Sequence, residues 1–408
     1  MGLVDRVLDN IDERAEKVIN GGVNSIPSPF VKFNKHFIGV EQKRIYIVTA
    51  RNKVGKTTFA SYLFIYNTLL YAYEHPDKIR VRIFYYAWEE SPEEVLQRFM
   101  RFYLNRHSRG SIRLSQENIG STDNTALDEK IRQLLRQDEY KEIWNFFESH
   151  IVFSSSSNPT GVWKEMIRYA DDNGTIHRKK IKIKDEFGVN REVDKFDYYT
   201  PNDPDEYRII FIDHVGEINT EQGLSLKESI DKLCKYLVDL RNDYGFTSVL
   251  LQQQSTASES TDAFKLGKVG AGKNTVADST YTVNKCNVCI GLNSPFDRKE
   301  KVWKGYNIEV LKDWFRYAEI LVNRNGSPGG ILPLFYDGKV NDWAEMPDAE
   351  DSSGVQQVYN YIHSLRDAPN YSFMTINKSF KSIVKESFKD YICKLFRIKR
   401  KDSKCQIS

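Results

Sequence analysis

Ala50, Arg51, Asn52, Lys53, Val54, Gly55, Lys56, Thr57 and Thr58 follow the apolar run IYIVT and precede a segment suited to a helix. A strand, a turn with glycine, then lysine and a hydroxyl is an arrangement for gripping an anion. Glycine at 55 lets the backbone approach closely, so that N–H groups around 52–58 can point at a β-phosphate. The positive end of the following helix reinforces them. Lys56 supplies a mobile charge for the β- and γ-phosphates, and the Thr57 hydroxyl is placed to ligate Mg2+. Alanine at 50 stands where the usual pattern has its first glycine; the flanking strand and helix supply the context that the motif requires.

Hydrolysing a nucleotide takes more than a cradle: a metal holder, a group to orient water, and charge to stabilise the departing phosphate. In YRIIFIDHVGEI, residues 207–218, an apolar run ends in Asp213. A carboxylate at the C-terminal end of a buried parallel strand lies at the sheet edge where ligands bind in this fold class. In RIFYYAWEESPEEVLQRF, residues 82–99, another buried strand ends in Glu89 and Glu90 before a helix opened by Ser91-Pro92. Either carboxylate could act as general base on the attacking water, and spacing alone does not separate them. TSVLLQQQS, residues 247–255, ends an apolar strand in glutamines, one of which could sense a terminal phosphate. EILVNRNGSPGG, residues 319–330, runs into Arg324 at a turn, from which a guanidinium could cross a subunit boundary as an arginine finger.

The elements that must carry these groups alternate. Strands are expected at 44–49, 81–87, 150–154, 208–212, 247–252, 286–292, 318–323 and 331–336, with helices at 56–74, 91–105, 126–148, 160–171 and 225–243. That rhythm predicts an α/β fold, a mostly parallel twisted sheet flanked by helices. Residues 173–206 interrupt it: alternating stretches on both sides of a Phe-Gly turn read as an inserted β-hairpin bearing Arg178, Lys179, Lys180, Lys182 and Lys184. It is either a surface decoration or a nucleic-acid or subunit contact. Residues 3–19 form an amphipathic helix that either packs on its own core or docks on a neighbouring subunit. The domain reading is therefore an arm at 1–22, a core at 23–345, and a linker with a tail at 346–408. From 375 to 408 the tail carries ten Lys/Arg against three acids on near-helical apolar spacing. A basic amphipathic helix there could pack on the core, bind a loader, primase or DNA, or meet a membrane surface.

The order of these pieces resembles the RecA-like ATPase domain of DnaB-type replicative DNA helicases. TARNKVGKTTFA resembles that family's phosphate loop, AWEESPEEVLQR its glutamate strand and helix, FIDHVGEI its metal-aspartate strand, VLLQQQS its sensor strand and EILVNRNGSPGG its finger segment. The likeness spans roughly residues 22–345. It implies ATP and Mg2+, with Asp213 and Thr57 on the metal, Glu89 rather than Glu90 as the base, Gln253 as the sensor and Arg324 as the finger. It also implies a ring, expected as a hexamer, that moves along single-stranded DNA. The loops after the Asp213 and Gln253 strands would grip that DNA, with Lys265, Lys268 and Lys273 as the cations on the second loop. Val322 stands where the family commonly has a lysine. Only about 20 residues precede the core, so the family's primase-binding domain is expected to be absent, a layout that suits a phage-encoded replication protein. Two other readings share the core: a RecA-like recombinase, and a non-motor ATP-binding helicase loader or regulatory ring.

Composition agrees with a globular protein. The chain has 408 residues, 40% hydrophobic and 28% charged, with a net charge of +3. No apolar run approaches the roughly 20 residues that a membrane span requires. Asp5, Asp9 and Asp12 argue against a signal peptide. Five cysteines, two of them in the tail, make no disulfide framework and suit a reducing cytoplasm. Cys286 and Cys289 lie in one expected strand and read as core residues rather than a zinc or redox site.

Overall fold

A computed structural model describes residues 3–120, 126–184, 190–255, 271–272 and 276–366. Nine strands form the central sheet: β1 (Ile45–Ala50), β2 (Arg80–Ala87), β3 (Ile151–Phe153), β4 (Glu206–Asp213), β5 (Thr247–Gln253), β6 (Val288–Asn293), β7 (Phe315–Asn323), β8 (Ile331–Asp337) and β9 (Asp342–Glu345). Their order is β9-β8-β7-β6-β1-β5-β4-β2-β3. From β6 to β3 every pair is parallel, whereas β7, β8 and β9 add an antiparallel wing. The parallel strands are apolar on both faces because both faces are covered, and every residue of β1 is buried.

One face packs Tyr46 and Val48 under the segment 56–74, helix Pro92–His107 and helix Asp138–His150. The other packs Ile45 and Ile47 under helices Pro159–Asp172 and Leu226–Tyr244. The segment 56–74 is helical throughout, with a π-helical stretch at Ser61–Tyr66. The single helix expected at 126–148 is instead two, Glu129–Leu134 and Asp138–His150. Asp128 caps the first of these through a side-chain bond to the Lys130 N–H, and a turn at 135–137 separates them. β9 and helix Ser352–Arg366 were not expected from sequence. Val355, Val358 and Ile362 of that helix pack with Trp303, Phe315 and Phe335 in a third core.

The insertion is a hairpin, Gly174–Lys184 against Asn190–Pro201, whose strands, among the described residues, pair only with each other. Its base is held by Phe196 and Tyr199 against Tyr244. Several of its cations are matched locally. Lys180 and Lys182 lie opposite Asp194 and Glu192, and Lys179 pairs with Asp197 at 2.8 Å. Helix Leu3–Ile19 leaves Val4, Val7, Leu8, Ile11, Val18 and Ile19 at least half exposed, so among the described residues its apolar side has no core beneath it. Cys286 and Cys289 are buried, with burial pushing both thiols up from their ordinary pKa. Among the described residues, no helix is long and apolar enough to cross a membrane.

Candidate nucleotide site

The turn after β1 brings the backbone round into the helix that begins at Lys56. Gly55 makes this possible, with φ of 100°, a region that side chains strain to adopt. A Cβ there would also meet the Thr58 hydroxyl at 3.2 Å and the Trp343 ring at 3.3 Å. Within the turn, Val54 is buried, and its carbonyl accepts a 3.0 Å bond from the buried Arg316 on β7. The Thr58 hydroxyl donates to the Gly55 carbonyl at 2.9 Å. The loop is thus braced from beneath as well as by its own helix.

Parallel pairing delivers the other groups to the same edge. Ala50 lies opposite Gln253, and Ala87 opposite Asp213. Lys56 is half-buried, and its desolvation pushes the ammonium pKa down, while Asp213, Glu89 and Asp278 pull it back up in that order. The charges of those three carboxylates therefore act on the lysine. Glu90 is not free for the same work, because the buried Arg98 takes it in an ion pair. Neither glutamate caps the next helix; Ser91 does, in a reciprocal capping box with Glu94. Of the three glutamines, Gln252 is buried on the carbonyls of Ala277 and Ser279, and Gln254 bonds the Thr49 hydroxyl. Gln253 points into the site, its amide 3.0 Å from His214 Nε2.

Asp213 is 4% exposed, and burial pushes its pKa up to about 6, opposed by Lys56 and by a hydrogen bond from Thr57. Among the described residues, its Oδ1 is buried without a hydrogen-bond partner. An oxygen in that state beside a threonine hydroxyl fits a hard divalent cation, so Asp213 and Thr57 are suited to hold Mg2+. A second set, His214 Nε2 with carboxylate oxygens of Glu89 and Glu217, lies within 4.8 Å, though a histidine nitrogen is a poor ligand for that ion. The raised pKa of Asp213 has a testable sign. Its contribution to stability is full below the ordinary carboxylate pKa of 3.8 and is lost as pH rises through about 6. Asp213→Asn is therefore expected to raise the nucleotide-free Tm by roughly 2–5 °C above pH 6, offset in part because Lys56 loses a partner. The two melting curves should converge near pH 4, which thermal denaturation across pH checks.

Arg324 lies elsewhere. Asn323 pairs with Val288, at the start of β6, whereas Leu292, near its end, pairs with Ala50. Arg324 is thus exposed at the edge opposite its own phosphate loop, its guanidinium bonded to the carbonyls of Cys286 and Asn284. Lys265, Lys268 and Lys273 lie outside the described residues, as does the tail from 375 to 408. Two residues of the site escaped the sequence reading. Arg316 carries a charge inside an apolar strand, a signal that could have marked it. His214 directly follows Asp213 but gives no pattern of its own.

A glycine turn running into a helix, two acids at or just past neighbouring strand ends and a mostly parallel sheet with an antiparallel wing make up a RecA-like α/β fold. The fold is shared with a solved ATPase domain and with a solved DnaB-like replicative helicase. The solved structure of one ATPase domain matches with a TM-score of 0.59 at 14% identity, over 85% of this chain and 100% of that one. A DnaB-like replicative helicase, described with its interactions with primase, matches with a TM-score of 0.55 at 14% identity, over 85% of this chain and 68% of that one. No family model and no curated protein matches the sequence.

Proposed function

We propose that the chain is an ATP-driven helicase or translocase acting on single-stranded DNA in replication, working as a ring with ATP between subunits. One observation carries this reading: Asp213 and Glu89, whose charges act on Lys56, stand at or just past neighbouring strand ends on one sheet edge, while Arg324 is exposed at the other. A head-to-tail ring of six subunits brings the second edge of one copy to the first edge of the next. Backbone N–H groups of the 50–58 turn and Lys56 would hold the phosphates. When bound by Thr57 and Asp213, Mg2+ would offset charge on the β- and γ-oxygens. Glu89 would take a proton as water attacks the γ-phosphorus and ADP leaves, with Arg324 of the neighbour stabilising the charge. Gln253 ends the strand that leads into 254–280, where Lys265, Lys268 and Lys273 would follow the DNA backbone.

The exposed apolar side of helix Leu3–Ile19 supports its use as the arm that docks on the neighbouring subunit. The basic tail is the candidate contact for a primase or loader, and a bacterial cytoplasm, entered by way of a phage genome, is the expected setting. Steady-state ATPase assays test the reading: single-stranded DNA should raise kcat about tenfold or more, and forked DNA should be unwound. ATP turnover without DNA stimulation would favour a non-motor loader or regulatory ring, a second reading supported by Val322 two positions before Arg324. Filaments on DNA in place of rings, seen by electron microscopy, would favour a recombinase.

A further inference from the structure

His214 sits at the end of β4 with its ring 6% exposed, between groups that the proposed reaction uses separately. Nδ1 accepts a 3.1 Å bond from the Gly216 N–H, so the neutral ring carries its hydrogen on Nε2. A Cβ at 216 would come within 2.9 Å of the ring, so glycine there makes room for it. Nε2 faces the Glu89 carboxylate at 3.1 Å, the Gln253 amide at 3.0 Å and Glu217 at 3.6 Å. The Gln253 amide nitrogen occupies that 3.0 Å position; because Nε2 already carries the hydrogen, the end-for-end orientation of the amide, oxygen toward Nε2, is the one that makes a bond. One N–H thus stands between two acceptors, Glu89 and Gln253.

We propose that His214 is a positioning residue that couples Gln253 to Glu89. While Gln253 rests on Nε2, the donor is shared and Glu89 is loosely held. When Gln253 turns to a terminal phosphate, the N–H passes wholly to Glu89. That fixes one carboxylate oxygen and leaves the other for water. The inference rests on Glu89 serving as the general base.

The test uses the full chain, with kcat and KM for ATP measured with and without single-stranded DNA. His214→Ala should lower the DNA-stimulated kcat about tenfold to a hundredfold with KM changed less than about twofold, the signature of misplacement rather than lost binding. His214→Gln, which restores an N–H near Nε2, should recover about a third or more of the rate. Gln253→Ala should cost much less on the His214→Ala background than alone. If His214→Ala does not fold, His214→Phe, which keeps a ring but has no N–H, decides with and without Gln253→Ala. Strict additivity there, or a wild-type kcat for His214→Ala beside an inactive Glu89→Gln, overturns the coupling alone. Wild-type turnover by Glu89→Gln overturns the base assignment and this inference with it.

Discussion

Glu89→Gln is expected to lower kcat for ATP by about a hundredfold to ten-thousandfold while nucleotide binding stays within about twofold of wild type. Three features set that expectation. The carboxylate follows the strand paired with that of Asp213, and its charge acts on Lys56, so it lies at the edge where the phosphates would be gripped. It is half exposed, with water at hand, whereas Glu90 is occupied by Arg98. Replacing oxygen by an amide keeps shape and a hydrogen-bonding end but removes the proton acceptor. Binding should survive, because the turn's N–H groups and Lys56 do not depend on residue 89. Single-turnover hydrolysis, together with titration of a fluorescent ATP analogue, separates the two effects. Glu90→Gln is the control, and it should reduce stability through loss of its pair with Arg98 rather than remove the chemical step.

Arg324→Ala should cost about a thousandfold or more in kcat, the scale of an arginine finger, again with little change in binding. The physical reason is charge. In the isolated chain the guanidinium is satisfied by two carbonyls, which are neutral acceptors. An anionic phosphate from a neighbouring copy is a stronger acceptor, so assembly would draw the side chain off its own backbone. Because the residue is exposed, its removal should leave Tm almost unchanged. Kinetics on assembled protein show the loss, and Arg324→Lys should recover only part of it, since lysine offers a point charge without the planar fork.

Much of this was legible in the residues. Buried parallel strands read as continuous apolar runs, so IYIVTA, RIIFID and SVLLQQ stood out, and chain direction alone put their last residues at one edge. The hairpin at 173–206 showed itself by alternation. What did not show depends on contacts between distant parts of the chain. Arg316 reaches Val54 across 262 residues, and no local pattern anticipates that. The choice among Gln252, Gln253 and Gln254 is settled by which carbonyls and hydroxyls lie beside each, and Glu90 is withdrawn by Arg98, eight residues on. Helix Ser352–Arg366 lay behind PDAEDSSG, whose composition resembles a linker, although Val355, Val358 and Ile362 carry helical spacing.

Mixed assemblies of Glu89→Gln and Arg324→Ala chains probe most directly whether the acids of one copy work with the guanidinium of the next. In each parent every junction lacks one group. In a random equal mixture, about a quarter of head-to-tail junctions join an intact Glu89 to an intact Arg324. ATPase activity should therefore climb from near zero to about a quarter of wild type on mixing. A mixture that forms mixed assemblies yet stays as inactive as its parents would contradict a site shared between copies.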